Sequence, residues 1–172
     1  MEGIPIRNAR RGDIPALLML WTAMRQENAR LDPRLAMHPH AKEHQAQQFG
    51  TWLHENDRVL VVAEEGSRLI VGYAAGRVAP GTGWHRPEHI GEVTDLFVAS
   101  PRRRRGLARR MVGRIGDMLY ELNVDTVRLQ VAARNDSALA FWRAIGWDVL
   151  EEILEWPGEI PAAPDVPGKP DS

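Results

Sequence analysis

The chain contains no cysteine. Disulfides, thiolate-bound zinc and a cysteine nucleophile are therefore excluded, and any acyl transfer must run without a thiol-bound enzyme intermediate. Lysine is almost as scarce. Lys42 and Lys169 stand alone, and every other basic residue is arginine, a bias that carries little functional information by itself. Tyrosine occurs only at Tyr73 and Tyr120, which leaves few phenolic acids for chemistry. Long apolar runs are missing too. Val59–Ala63 and Leu69–Ala75 are strand-sized and far shorter than the roughly 20 residues a membrane-spanning helix needs. The opening MEGIPIRNARRGD lacks the apolar core of a signal peptide, so a cytoplasmic location is expected and a membrane partner is not. Charge of one sign is also lacking. The net charge is -1, whereas a dedicated nucleic-acid binder is more often basic overall.

What is present suits one soluble domain. The 172 residues are 44% hydrophobic and 26% charged, enough to bury a real core. Ile4–Arg7 reads as a short first strand. Asp13 is placed to cap a helix with Pro15 in its first turn, and Leu17, Leu18, Trp21 and Met24 give that helix an apolar face. Pro33 and Pro39 end it, and a second helix is expected from His40 to Glu55. RVLVVAEE and RLIVGYAAGRV read as paired strands turned at Glu65-Gly66-Ser67. After the loop PGTGWHRPEHIG, EVTDLFV is a further strand. Leu107, Met111, Val112, Ile115, Leu119 and Leu122 recur at helical spacing. Thr126–Ala132 reads as a strand, Asn135–Ile145 as a helix and Trp147–Trp156 as a last strand. The expected order is β-α-α-β-β-β-α-β-α-β. The domain should span 1–156, and 157–172, with Pro161, Pro164, Pro167 and Pro170 at every third residue, should be an extended or disordered tail.

The densest local feature is SPRRRRGLARRM, Ser100 to Met111, which lies between a strand and a helix. A helix N-terminus offers unpaired amides and the positive end of its dipole. A tight loop entering it can aim several amides at one anion. Gly106 removes a side chain where a ligand must come close, and Ala108 is small. Arginines on the rim add charge-assisted bonds to phosphate. The stretch is thus built like a diphosphate site, although neither GxxxxGK[ST] nor GxGxxG is present. The plain alternative is a solvated basic helix start. A nucleic-acid surface using Arg102–Arg105, Arg109, Arg110 and Arg114 lacks interleaved aromatics and a helix-turn-helix pattern, so no nucleic-acid partner is expected.

HAKEH, His40 to His44, fits H-x-x-E-H and would set His40 and His44 one helical turn apart. No third ligand is evident, and no metal is expected.

Arg103-x-x-Gly106-x-Ala108, followed by a strand and then by NDSALAFWRAIGW, resembles the GNAT N-acetyltransferase superfamily. Its pattern Q/R-x-x-G-x-G/A sits between a strand and a helix, and a later N-x-x-A-x-x-F/L-Y/W-x-x-x-G-F/W is matched by Asn135, Ala138, Phe141, Trp142, Gly146 and Trp147. The close match covers Gly91 to Trp147. The resemblance implies an α/β (α+β) fold with a mixed, mostly antiparallel central sheet flanked by helices. It implies acetyl-CoA as co-substrate and direct transfer of its acetyl group to an amine acceptor, either a small molecule or a peptide or protein amine. Amides of Arg103, Arg104, Arg105, Gly106, Leu107 and Ala108 would hold the pyrophosphate, with Arg109 beside them. The main chain of Leu96, Phe97 and Val98 would pair with the pantetheine arm. Asn135, Ala138 and Trp142 would complete the cofactor wall. The Val98 amide would stabilise the oxyanion, and Glu92 is the first candidate base. Asp95 is the second, and strand alternation puts it on the opposite face from Glu92. Trp142 stands where many relatives carry tyrosine, so the usual general acid is missing, and a non-catalytic acyl-CoA sensor is the alternative. A homodimer is also consistent with the resemblance. Glu27, Asp32 and Glu43 could attract a cationic acceptor.

Overall fold

The computed structural model describes residues 3–84 and 86–155. The order is β1 (Ile6–Asn8), α1 (Ile14–Leu31), α2 (Ala41–Trp52), β2 (Arg58–Glu65), β3 (Leu69–Pro80), β4 (His89–Val98), α3 (Leu107–Glu121), β5 (Thr126–Leu129) and α4 (Asp136–Ala144). The strands form one sheet in the order β1-β2-β3-β4-β5. The first four are antiparallel, and β5 joins β4 in parallel. The α/β class and mostly antiparallel sheet expected from the sequence are thus observed.

Two apolar layers explain why the sheet strands read as continuous hydrophobic runs. A strand buried on both faces needs no polar alternation. Val59, Val61 and Ala63 of β2 face α3 and α4, while Leu60 and Val62 face α1 and α2. Leu107, Met111, Ile115 and Leu119 of α3 recur every fourth residue and are all buried on the first side. Leu17, Trp21 and Phe49 bury the second, where Phe49 meets Tyr73 edge-on at 6.1 Å between ring centroids. α1 and α2 therefore stack on one face of the sheet and α3 and α4 on the other.

Three expectations change in detail. Asp13 does occupy the position before α1, but its carboxylate makes no cap bond there. It instead accepts from the Arg7 guanidinium at 2.7 and 2.9 Å and from the Arg10 amide at 2.7 Å. A bidentate arginine outcompetes a helix amide for the same oxygens. β5 ends at Leu129 rather than Ala132, its pairing with β4 stopping at Val93, just before the β4 bulge at Thr94. The expected last strand is absent: residues 147–155 form no strand, and Trp156 lies outside the described residues. In DVLEEILE, apolar and acidic residues come in pairs. Either face of a strand would then carry both kinds, and neither face could be buried. Val149, Leu150, Ile153 and Leu154 are all exposed. The proline-rich tail, 157–172, also lies outside the described residues.

Candidate functional site

β4 and β5 pair only from Ile90–Val93 against Thr126–Leu129. Beyond Val93, the edge of β4 that faces β5 has no strand partner, and the sheet opens. A pocket fills the gap, lined by Met24, Arg25 and Asn28 of α1, by residues 93–96 of β4, by residues 129–132, and by Asn135, Ala138 and Trp142 of the α4 segment. Leu96 of the expected cofactor wall therefore meets Asn135, Ala138 and Trp142 in one cavity.

The β4 strand carries a bulge here. Asp95 pairs with Ala75 while Val93 pairs with Gly76, so Thr94 is the extra residue. A bulge shifts the side-chain phase by one. Val93, Leu96 and Val98 all pack toward α3 and α4, while Phe97 packs toward α1 and α2. The bulge corrects the expectation for the two carboxylates. Glu92 and Asp95 lie on the same face of the sheet, toward α1, and not on opposite faces.

Their surroundings differ. Glu92 is half-exposed, outside the pocket wall, and accepts from Arg77 Nε at 2.5 Å. The Asp95 side chain is only 3% exposed and forms part of the wall. Its Oδ1 accepts from the Tyr73 hydroxyl at 3.2 Å and from Arg25 Nη2 at 3.4 Å. Burial pushes its pKa up, opposed by the positive charge of Arg25 and by hydrogen bonds from Thr94 and Tyr73. Burial likewise raises the Tyr73 hydroxyl, reinforced by the adjacent Asp95 charge. Sequence reading gave Tyr73 and Arg25 no role. Tyr73 lies on a strand with no chemistry-bearing motif, and Arg25 is one of two arginines on α1. Only the sheet register and the helix crossing bring them to Asp95.

The arginine run divides its work. After a 3-10 turn at Ser100–Arg102, the chain reaches Gly106 with φ 73, directly before α3. Arg104 is also left-handed, with φ 61, a conformation that costs a non-glycine residue about 1 kcal/mol or more. Arg102 is tied to Glu65 at 2.6 Å. Arg103 turns its side chain back into the protein: Nε donates to the Val98 carbonyl at 2.8 Å and Nη2 donates to Glu27 at 2.7 and 2.9 Å, with the guanidinium over the Phe97 ring. Arg104, Arg105 and Arg109 are exposed and make no side-chain hydrogen bond or ion pair among the described residues. Leu107 is a buried core residue, and Ala108 packs beside it. Asn135 caps α4, its Oδ1 accepting from the Ala138 amide at 3.1 Å, and its Nδ2 donates to Asn28 at 3.3 Å. Trp142 is 8% exposed and stacks edge-on with Phe141 and Trp147, so its indole is both pocket wall and core.

α1 thus touches three parts of the site, through Arg25 to Asp95, Glu27 to Arg103 and Asn28 to Asn135. Asp32 ends that helix. It accepts from the Arg34 amide at 3.1 Å and from the Arg34 guanidinium at 3.0 and 2.6 Å, with Arg134 Nε at 3.6 Å. These partners hold its pKa at about 2, below the usual carboxylate value of 3.8. The folded pKa is depressed, so the stabilisation is complete above the unfolded value and is lost as pH falls toward the folded one. Thermal melts of the wild type and Asp32→Asn between pH 7 and pH 2 should show the difference between them narrowing from about pH 4 downward. A gap that stays constant over that window would show that the Asp32 charge contributes nothing.

The remaining acids expected to attract a cation do not form an open acidic site. Glu27 and Asp32 are both neutralised by arginine, and Glu43 lies in the first turn of α2, away from the pocket wall. His40 precedes α2 and His44 lies within it, and among the described residues no cluster of three or more His, Asp or Glu could hold a metal. No helix among the described residues is long and apolar enough to cross a membrane.

The architecture has many solved counterparts. A Bacillus halodurans protein solved as a tetramutant matches with a TM-score of 0.79 at 19% identity, over 89% of this chain and 99% of its own. A predicted acetyltransferase from Clostridium acetobutylicum, solved with acetyl-CoA, matches with a TM-score of 0.70 at 20% identity, over 88% of this chain and 94% of its own. An aminoglycoside antibiotic 6'-N-acetyltransferase from Acinetobacter haemolyticus matches with a TM-score of 0.71 at 13% identity, over 91% and 99%. At these identities the likeness speaks for the fold. No curated protein matches the chain. The model of the acetyltransferase (GNAT) family matches residues 21–147. That stretch runs from α1 through the opened sheet and the glycine-capped helix to the end of α4, and it is well over half of the sequence: the chain belongs to the GNAT acetyltransferase family.

Proposed function

We propose that the protein transfers the acetyl group of acetyl-CoA directly to the amine of a small-molecule acceptor held in the pocket between β4, β5 and α1. The observation that carries this reading is the opened sheet leading to a glycine-capped helix. The unpaired edge of β4 at Leu96, Phe97 and Val98 offers main-chain groups to an extended pantetheine arm, as a strand edge offers them to a peptide. The amides from Arg103 to Ala108 offer a concave array to the pyrophosphate. A Cβ built on Gly106 would meet no atom within 4 Å, so the space in front of this turn is open to a ligand. Arg104, Arg105 and Arg109 stand free around it for further phosphate oxygens. Asn135 caps α4 at the other wall of the gap, where Ala138 also lines the pocket, and Trp142 closes its floor.

The chemistry needs no enzyme nucleophile. The neutral amine nitrogen attacks the thioester carbonyl, a C–N bond forms, and the C–S bond breaks with release of the CoA thiolate. The amine must first lose its proton, since an amine near neutral pH is mostly protonated. Asp95 is the proton acceptor we favour. It lines the pocket, and a carboxylate whose pKa is raised by burial is a better match for that proton than an exposed one. Glu92 lies on the same face and would have to act through water after leaving Arg77. The Val98 amide is the proposed donor to the developing oxyanion. A thiolate with a pKa of roughly 8.5 can leave with a proton from water, so the tryptophan at the usual tyrosine position does not stop the reaction.

Calorimetric titration with acetyl-CoA, with a DNA oligomer at the same ionic strength as control, tests the reading. Saturable acetyl-CoA binding followed by thiol release on adding an amine is expected. Salt-sensitive DNA binding without acetyl-CoA binding would overturn it.

A further inference from the structure

The pocket wall on the α1 side carries an arginine whose donors are largely unused. Among the described residues, Arg25 Nε is buried without a hydrogen-bond partner, and Arg25 makes a single bond, at 3.4 Å, to Asp95. Its guanidinium carbon lies 5.4 Å from the Trp21 ring centroid, within reach of a cation–π contact. One turn earlier, Trp21 Nε1 is a second buried donor without a partner. A buried donor left unpaired costs on the order of 1–3 kcal/mol. Arg25 is 40% exposed and has donors beyond its one bond to Asp95, so its planar fork can meet a two-oxygen anion in the pocket.

The charge arrangement narrows the ligand further. Among the described residues Asp95 is the one carboxylate in the pocket wall, and it faces Arg25. Glu27 and Asp32, the next nearest acids on α1, are neutralised by Arg103 and by Arg34 and Arg134. A polycationic acceptor would need several free carboxylates here, and it would be repelled by Arg25. An acceptor with one ammonium and one carboxylate matches both groups. Its ammonium meets Asp95 and its carboxylate meets Arg25.

We infer that the acceptor is a carboxylate-bearing amine of the amino-acid or short-peptide class, and that Arg25 is the specificity-determining residue that binds its carboxylate. This rests on the acetyl-transfer reading proposed for the same site. The reaction is the one already balanced: the acceptor nitrogen gains the acetyl group and loses a proton, and CoA leaves as the thiol. The acceptor carboxylate is unchanged and serves only to orient the amine toward the thioester.

The test uses the full chain, saturating acetyl-CoA and a panel of free L-amino acids and dipeptides, each beside its C-terminal amide. The amide removes the charge and keeps the amine. Wild type should show a KM for the acids roughly 10- to 100-fold below that for the amides. Arg25→Met should raise the KM of the acids to that of the amides, so that the ratio of the two falls to about one. Arg25→Lys, which keeps the charge and loses the fork, should recover part of the preference. Unchanged acetyl-CoA affinity in both variants would show that the fold is intact. Equal or better turnover of amides or diamines by wild type overturns this inference alone. So does acetyl-CoA binding with transfer to no carboxylate-bearing acceptor. Failure to bind acetyl-CoA overturns the acetyl-transfer reading itself, and this inference with it.

Discussion

Replacing Gly106 with valine is expected to raise the Kd for acetyl-CoA by about 100-fold or more, with a much smaller effect on stability. Two costs combine. Gly106 has φ 73, a conformation in which a β-branched residue is a genuine outlier, and holding it there costs of order 1–2 kcal/mol. The cost to the unliganded fold ends there, because no atom lies within 4 Å of the added Cβ. The bound state suffers more. If the turn relaxes to a permitted φ, the amides from Arg103 to Ala108 no longer converge. If it does not relax, the isopropyl group stands in front of them. Either way the anion loses several charge-assisted bonds, each worth about 1.5–3 kcal/mol. Calorimetry for Kd and calorimetric melting for stability separate the two terms. Loss of several kcal/mol of stability with unchanged affinity would mean that the glycine serves the fold alone.

Asp95→Asn is expected to lower kcat for acetyl transfer by about 100- to 10,000-fold, the range typical of a removed general base, with acetyl-CoA affinity within about threefold of wild type. Asparagine is nearly isosteric and can still accept from the Tyr73 hydroxyl, so the packing around the pocket is kept. It cannot take a proton from an ammonium group. Glu92→Gln is the matched control. Glu92 is half-exposed, outside the pocket wall and engaged by Arg77, so its loss should cost less than about tenfold. A raised Asp95 pKa also predicts that the acidic limb of the kcat/KM profile lies above the ordinary Asp value of 3.8 and vanishes in Asp95→Asn. If instead Glu92→Gln removes the activity and Asp95→Asn retains it, the roles of the two carboxylates are reversed.

Much of this site was legible without coordinates because its ingredients are local. A strand, an arginine turn, a glycine and a helix follow one another in 20 residues or so, and the physics of a helix start requires no long-range contact. The second half, Asn135 to Trp147, was legible for the same reason, since a capping asparagine and an apolar helical face are both written in sequence. What escaped was everything that depends on counting across strands. Strict alternation puts Glu92 and Asp95 on opposite faces, yet Thr94 is an extra residue and the two acids share a face. No local signal marks such a bulge, because its cause is the register with β3. Arg25 and Tyr73 were passed over because they lie 70 and 22 residues from Asp95 in the chain. Trp147–Trp156 reads as a last strand, but the paired order of DVLEEILE gives neither face anything to bury. The arginine run was read as a uniform rim, while Arg102 and Arg103 are spent on Glu65 and Glu27.

The threefold attachment of α1 has a thermodynamic corollary. One helix meets the arginine turn through Glu27, the α4 cap through Asn28 and the pocket wall through Arg25. In the proposed reaction the two substrates therefore share a mechanical part. Any free energy that one spends on moving or stiffening this helix appears in the affinity of the other, and reciprocity requires the factor to be the same in both directions. Cooperativity between donor and acceptor is then a property of a single helix, and an exchange as far from the thioester as Glu27→Gln becomes a way to tune it.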